Sequence, residues 1–354
     1  MPCSLVDMAS ARGNSLSDVS QLWMGVHPSG PSVIRASGET LASYVERDPA
    51  TLGAAVRHLY GSLPFLFKVL SVRQPLSIQA HPTKTYSRNE SRHGAWKFHH
   101  LIVQEHAKIL NQERPDLYPD PNHKPEIAIA LTHFRALCGF RPYEEIVSFS
   151  TGGDHTGMGT AERDLVLELH GWYPGDIGCL AAFFLNQILL LPGQAIYLPP
   201  NVPHAYLQGA TSRGKDGLSK PLVFDRYNPG SNPALGTFFL MKKKKCSNVP
   251  LQKSNPTSNC KTMWGHVADC VECMACSDNV VRAGLTPKHI DVPTLCGMLS
   301  YQCHPPAPFL PISDPTDPYL ALYNPPIQDF AVYRISVGTP YLQTYSLSVQ
   351  ETIL

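Results

Sequence analysis

The stretch "LSIQAHPTK", Leu76 to Lys84, reads as a short strand in which polar side chains recur at every second position until a proline ends it. Residues two apart in a strand share a face, so Ser77, Gln79 and His81 project together while Ile78 and Ala80 enter the opposite layer. Taken alone, such a row is a solvent-facing edge. It becomes a site only if other donor residues meet it, and the neighbouring sequence supplies them.

Upstream, "PFLFKVLSV" (Pro64–Val72) has the alternation and β-branched content of a strand. Downstream, "PEIAIAL" (Pro125–Leu131) sends Ile127, Ile129 and Leu131 one way and Glu126, Ala128 and Ala130 the other, with Glu126 on the side of Lys124. Further on, "PGQAIYLPPNVPHAYL" (Pro192–Leu207) alternates strand and turn, and Pro203 stiffens the approach to His204, whose face Tyr206 shares. Helical spacing is confined to residues 39–60, broken at Asp48-Pro49, and to "AERDLVLELHGW" (Ala161–Trp172). The run "CLAAFFLNQILLL" (Cys179–Leu191) reads as an apolar helix or a buried strand pair. Short strands punctuated by glycine and proline predict a mainly β sandwich or barrel with some helix attached. Gln79, His81, Glu126 and His204 together offer one amide oxygen, two imidazoles and one carboxylate, a donor set suited to a divalent ion such as zinc.

Composition narrows the partners. The chain has 354 residues, 43% of them hydrophobic, and 29 basic side chains nearly balance 28 acidic ones for a net charge of +1. Nothing in that balance calls for nucleic acid or an anionic membrane, so a small-molecule ligand is expected. "MPCSLVDMASARGNSLSD" does not read as a secretory signal, and Leu180–Leu191 is too short to span a bilayer, so a cytoplasmic (cytosolic) protein is expected. In that compartment ten cysteines are reduced thiols or metal ligands, and the sequon at Asn89 has no use. Cys270, Cys273 and Cys276, at C-x2-C-x2-C, raise an iron–sulfur or structural zinc site, but Ser277, Asp278 and Asn279 follow in place of the fourth cysteine and proline of the ferredoxin pattern, and strand spacing of three sends successive thiols to opposite faces. Residues 85–104 show no period, and 210–268, with the solvated run Lys242–Lys245, read as a loop.

Several blocks closely resemble the type I mannose-6-phosphate isomerases. They are "LWMGVHPSGPS" (Leu22–Ser32), "PFLFKVLSVRQPLSIQAHP" (Pro64–Pro82), "YPDPNHKPEIAIALTHFRALCGFRPYEEI" (Tyr118–Ile146), "PGDIGC" (Pro174–Cys179), "NVPHAYLQG" (Asn201–Gly209) and "DCVECMACSDNVVRAGLTPKHIDVPTL" (Asp269–Leu295). The resemblance implies a zinc-dependent, cupin-like jelly-roll enzyme interconverting mannose 6-phosphate and fructose 6-phosphate through an enediolate, feeding GDP-mannose biosynthesis, with one Zn2+ per chain and a monomeric state. Carried over by position, Gln79, His81, Glu126 and His204 are the zinc ligands. Arg282 and Lys124 lie beside the sugar, and Ser77 and Lys288 serve the phosphate. Glu272, Asp278 and His27 are candidates for the base.

Measured against that family, the chain is divided into an N-terminal cupin-like part (1–146, with insert 85–104), a remnant helical domain (147–191) and a return strand carrying His204 (192–209). A low-complexity insert (210–268) and a truncated second jelly roll (269–354) follow. Such block edges suggest altered splicing, and the expected fold is mainly β with a reduced helical portion and an incomplete second jelly roll. Two other readings stand beside the enzyme: an inactive isoform of the same family, and a non-enzymatic cupin-type metal-binding protein.

Overall fold

The computed structural model describes residues 19–83, 86–87, 103–104, 106–151, 160–207, 211–213, 219–221, 235–242, 268–305 and 307–338. In chain order its principal strands begin with β1 (Val19–Met24), β2 (Phe65–Val72), β3 (Ile78–Ala80), β4 (Glu126–Ala130) and β5 (Phe134–Phe140). They continue with β6 (Leu185–Leu190), β7 (Ala195–Leu198), β8 (His204–Tyr206), β9 (Leu235–Lys242) and β10 (Ala268–Ala275). The last are β11 (Val281–Gly284), β12 (Ile312–Ser313), β13 (Leu320–Tyr323) and β14 (Ala331–Gly338). The helices are α1 (Leu41–Arg47), α2 (Gly53–Tyr60), α3 (His106–Glu113), α4 (Tyr143–Thr151), α5 (Thr160–Trp172) and α6 (Val292–Met298).

Two five-stranded sheets form the body, in the orders β1-β2-β10-β4-β7 and β11-β3-β8-β5-β6, with antiparallel neighbours throughout. This is the mainly β sandwich expected. The alternation of "PEIAIAL" is what lets β4 serve two layers. Ile127 and Ile129 join Phe65, Phe67, Val271 and Cys273 on the outer face of the first sheet, under Leu41, Val45 and Val56 of the first two helices. Ala128 and Ala130 turn inward and pack with Leu70, Ile196 and Leu198 against Phe134, Ala136, Ile188 and Tyr206 of the second sheet. Fully burying one such aliphatic or aromatic side chain contributes about 1.5–3 kcal/mol, so this inner layer holds the sheets face to face.

The outer face of the second sheet is covered by what helix there is. Ile78, Leu137 and Ala205 pack on Leu165 and Leu169 of α5 and on Cys179 and Ala182. A smaller sheet, β9-β14-β13-β12, packs on the outer face of the first sheet through Tyr323, Phe330 and Val332.

Two elements differ from the sequence reading. "CLAAFFLNQILLL" is neither one helix nor a strand pair: Asp176 caps a 3-10 turn, Ile177–Phe183, and the chain then straightens into β6. Pairing with β5 fixes that change, burying Leu185, Ile188 and Leu190 while Leu189 stays exposed. The stretch 210–268, read as a loop, contributes β9, paired along its length with β14 from Leu235↔Gly338 to Lys242↔Ala331. Its composition as a whole is polar, but "LGTFFLMK" is locally apolar and aromatic, and local content decides strand pairing. Short ribbons also occur at 86–87 with 103–104 and at 211–213 with 219–221; the remainder of both stretches, like the opening "MPCSLVDMASARGN", lies outside the described residues. Among the described residues no helix is long and apolar enough to cross a membrane.

The three cysteines at C-x2-C-x2-C do not converge. Cys270 faces the inner layer and Cys273 the outer one, and Cys276 lies beyond the end of β10. Burial, with Glu272 adding to it, pushes the thiols of Cys270 and Cys273 well above their ordinary range. A thiol reagent applied to native protein should therefore label the exposed Cys296 and Cys303 and leave Cys270 and Cys273 unmodified until denaturant is added, as peptide mass mapping would read. Rapid native labelling at Cys270 would contradict the sandwich.

Candidate metal centre and active site

Short strands with fixed neighbours position the polar groups. In the second sheet Gln79 is in register with His204 on one side and Arg282 on the other, so the three side chains stand abreast on the inward face. His81 follows directly after β3. Glu126 comes from the opposite sheet, at the first position of β4, where Pro125 precedes it, and it projects inward between Met274 and Leu198.

His81, Glu126 and His204 thus meet across the sandwich, each offering one ligand atom within 4.8 Å of the others. His81 Nε2 is 3.3 Å from Glu126 Oε1, and His204 Nε2 is 3.6 Å from Oε2. All three residues are buried, at 1–2% exposure. Each imidazole spends its other nitrogen on a backbone carbonyl: His81 Nδ1 on Asn279 O at 2.7 Å and His204 Nδ1 on Val202 O at 2.9 Å. A carbonyl only accepts, so Nδ1 carries the proton and a neutral ring directs a lone pair from Nε2 toward the carboxylate.

Acceptors facing acceptors in a buried space repel one another unless a cation lies among them. Among the described residues, His81 Nε2, His204 Nε2 and both Glu126 oxygens have no hydrogen bond of good geometry. Protonated imidazoles would relieve the conflict, but burial first and then the Lys124 ammonium pull His81 down to about 4. Burial alone would raise the Glu126 carboxyl; Lys124, then His81, outweigh it and hold it well below the usual carboxylate range. Lys124 Nζ sits 2.8 Å from Glu126 Oε1, on the same side of the chain as expected. The arrangement fits a divalent metal on chemical grounds: two imidazoles whose Nδ1 atoms are held by carbonyls, one ionised carboxylate, and the Gln79 amide alongside in register.

The remaining sequence candidates fall into three places. Glu272 faces inward from β10, in a row with Trp23, Lys68 and Ala128 across the first sheet. Its carboxylate lies 3.0 Å from Lys68 Nζ, whose ammonium in turn sits 4.7 Å from the centre of the Trp23 ring. Asp278 is exposed and pairs with His27, Nε2 to Oδ2 at 3.3 Å, while Ser29 binds both: its hydroxyl donates to Asp278 and its amide to His27 Nδ1. Arg282 is half-buried on β11, the edge strand, and partial burial lowers its pKa from the ordinary arginine value. Ser77 is half-buried just before β3, and Lys288 is exposed on the turn after β11. Lys68 escaped the sequence reading, although a single lysine on the apolar face of "PFLFKVLSV" was its signal. The Asn279 and Val202 carbonyls could not have been found, because a backbone acceptor has no side-chain signature.

A small β-sandwich with two histidines and a glutamate converging inside one end belongs to the cupin-like metal-dependent class. Comparison with known proteins narrows the class. Residues 9–143 match the model of the phosphomannose isomerase type I catalytic domain. Mannose-6-phosphate isomerase of Mus musculus is 37% identical over 387 residues, covering 90% of this chain and 72% of the mouse protein. Among solved structures, the apo mannose 6-phosphate isomerase of Salmonella typhimurium superposes with a TM-score of 0.59 at 27% identity, over 88% of this chain and 73% of that one. A mannose 6-phosphate isomerase bound with zinc and yttrium aligns with the same score, identity and coverage. The chain belongs to the type I mannose-6-phosphate isomerase family.

The Lys68–Glu272 pair is nearly dry, with side-chain exposures of 11% and 5%. Removing one partner leaves a charge in the interior, so Lys68→Met should cost about 3–5 kcal/mol in urea unfolding, whereas Lys68→Met with Glu272→Met should cost much less. Equal losses in the single and double variants would show that the two groups do not depend on each other.

Proposed function

We propose that the chain is a zinc-dependent aldose–ketose isomerase acting on mannose 6-phosphate and fructose 6-phosphate, with Gln79, His81, Glu126 and His204 as the metal ligands. The observation that carries this reading is the convergence of His81 Nε2, His204 Nε2 and the Glu126 carboxylate, buried with no hydrogen bond of good geometry among them. Zinc, when bound, supplies positive charge beside the oxygen that turns negative as the carbonyl moves between C1 and C2. Arg282 adds a second positive group on the same inward face and orients the sugar. Lys124 holds Glu126 ionised.

Isomerisation needs one proton taken from C2 and returned to C1 through an enediolate. Of the three candidate carriers, Glu272 faces the interior with Lys68 fixing its carboxylate, while Asp278 and His27 bind each other. We assign the proton transfer to Glu272. Ser77 and Lys288 lie on the strand and turn flanking Arg282 and Gln79, and they receive the phosphate by a hydroxyl and an ammonium. In the cell the reading places the chain as a cytosolic monomer connecting mannose 6-phosphate with GDP-mannose synthesis. The near balance of charges agrees with a small anionic substrate rather than a polyanion.

The test is a coupled turnover assay on purified protein before and after chelation, with zinc restored. Turnover should vanish and return, and Arg282→Ala should lose at least about a hundredfold in kcat/KM while keeping full zinc content. Zinc binding without turnover in folded protein would favour the non-enzymatic cupin reading. Parallel loss of zinc and turnover in Arg282→Ala would assign the arginine to the scaffold.

A further inference from the structure

We propose that Asp176, of the "PGDIGC" turn, is a positioning residue for Arg282, an inference that rests on the reading of Arg282 as the arginine facing the sugar. The Arg282 side chain makes no hydrogen bond or ion pair with a described residue, and it sits on a four-residue edge strand with a neighbour on one side only. Its direction is therefore set by the backbone that carries it. That backbone is irregular. The register against β3 shifts between Arg282 and Gly284, and the next residue, Leu285, adopts φ 53, a left-handed conformation that a branched side chain occupies only under constraint.

The constraint comes from the turn after α5. Asp176 Oδ1 accepts the Gly178 amide at 2.7 Å, which caps the 3-10 turn, and its second oxygen, Oδ2, accepts the Thr286 amide at 3.0 Å. One carboxylate thus joins the helical remnant to the bulge beyond Arg282. Between the two chains the backbones nearly touch. A Cβ on Gly178 would lie 2.7 Å from Leu285 N and 2.8 Å from Gly284 Cα, and one on Gly284 would lie 2.6 Å from Gly178 Cα. Those neighbours are backbone atoms, so only glycine fits at either position. Leu285 completes the clamp by burying its side chain with Leu165, Leu169, Cys179 and Ala182. A cap needs one oxygen; the second serves the strand.

Asp176→Asn separates these roles, because an asparagine oxygen still caps Gly178 but its amide group cannot accept from Thr286. The expected result is a fall in kcat/KM on the order of tenfold to a hundredfold, with zinc content unchanged and the melting temperature within a few degrees of the parent. Gly178→Ala should lower kcat/KM by pushing Gly284 away, with a fall in melting temperature because its methyl meets backbone, while Gly171→Ala, whose new methyl meets nothing within 4 Å, should do neither. Amide hydrogen exchange over 282–286 should accelerate in Asp176→Asn even in the absence of substrate. Arg282→Ala, assayed alongside, tests the underlying assignment. If it leaves kcat/KM intact, that assignment fails and the inference with it. If Arg282→Ala is impaired but folded, zinc-loaded Asp176→Asn keeps kcat/KM within twofold, or its exchange over 282–286 is unaltered, the positioning role alone is overturned.

Discussion

The structure depends on one electrostatic conflict: a carboxylate from one sheet and two imidazoles from the other direct lone pairs at a common point inside a protein. Burying an ionised carboxylate is costly unless charge and hydrogen bonds compensate it. Lys124, two residues before Glu126 in the chain, supplies part of that compensation. Burial and Lys124 keep His81 neutral, Lys124 and His81 keep Glu126 ionised, and the rest of the compensation is left to a cation. The conflict also divides the sandwich. Where Leu70, Ala130, Phe134, Ile188 and Leu198 meet, the interior is apolar and the sheets adhere. At the end where Glu126, His81 and His204 meet, buried polar groups take the place of that apolar core.

The second sheet reads as a gradient from water inward. Lys288 is exposed on a turn; Arg282, Gln79 and Ser77 are half-buried on or beside the edge strands; His204 and His81 are dry. A substrate with a dianionic phosphate at one end and a reacting carbonyl at the other has the same polarity. On the proposed reading its phosphate would keep much of its hydration at the edge, while the carbonyl would enter the region of low dielectric where fixed charges act most strongly.

Much of this was legible because strand alternation is a strict code. "PEIAIAL" predicted both faces of β4, and each face joins the cluster its pattern assigns. "LSIQAHPTK" predicted the polar row, and register then put Gln79 between His204 and Arg282. What periodicity cannot give is partnership across sequence distance. Lys68 and Glu272 are two ordinary charged residues until β2 and β10 pair and place them side by side. The same holds for β9, whose strand character was masked by the polar residues around it and emerges only against β14.

The "PGDIGC" turn was noticed in the sequence only as part of a resemblance, and its glycines looked like ordinary turn residues. Their necessity is a property of two backbones meeting, which no single segment encodes. Most of the contacts that aim Arg282 come from outside its own sheet: Asp176 and Gly178 from the turn, and Leu165 and Leu169 from α5 beneath Leu285. The helical portion therefore has a role beyond covering an apolar face. It is the support to which β11 is tied, and on the proposed reading an edge strand without it would be free to twist its arginine away from the sugar.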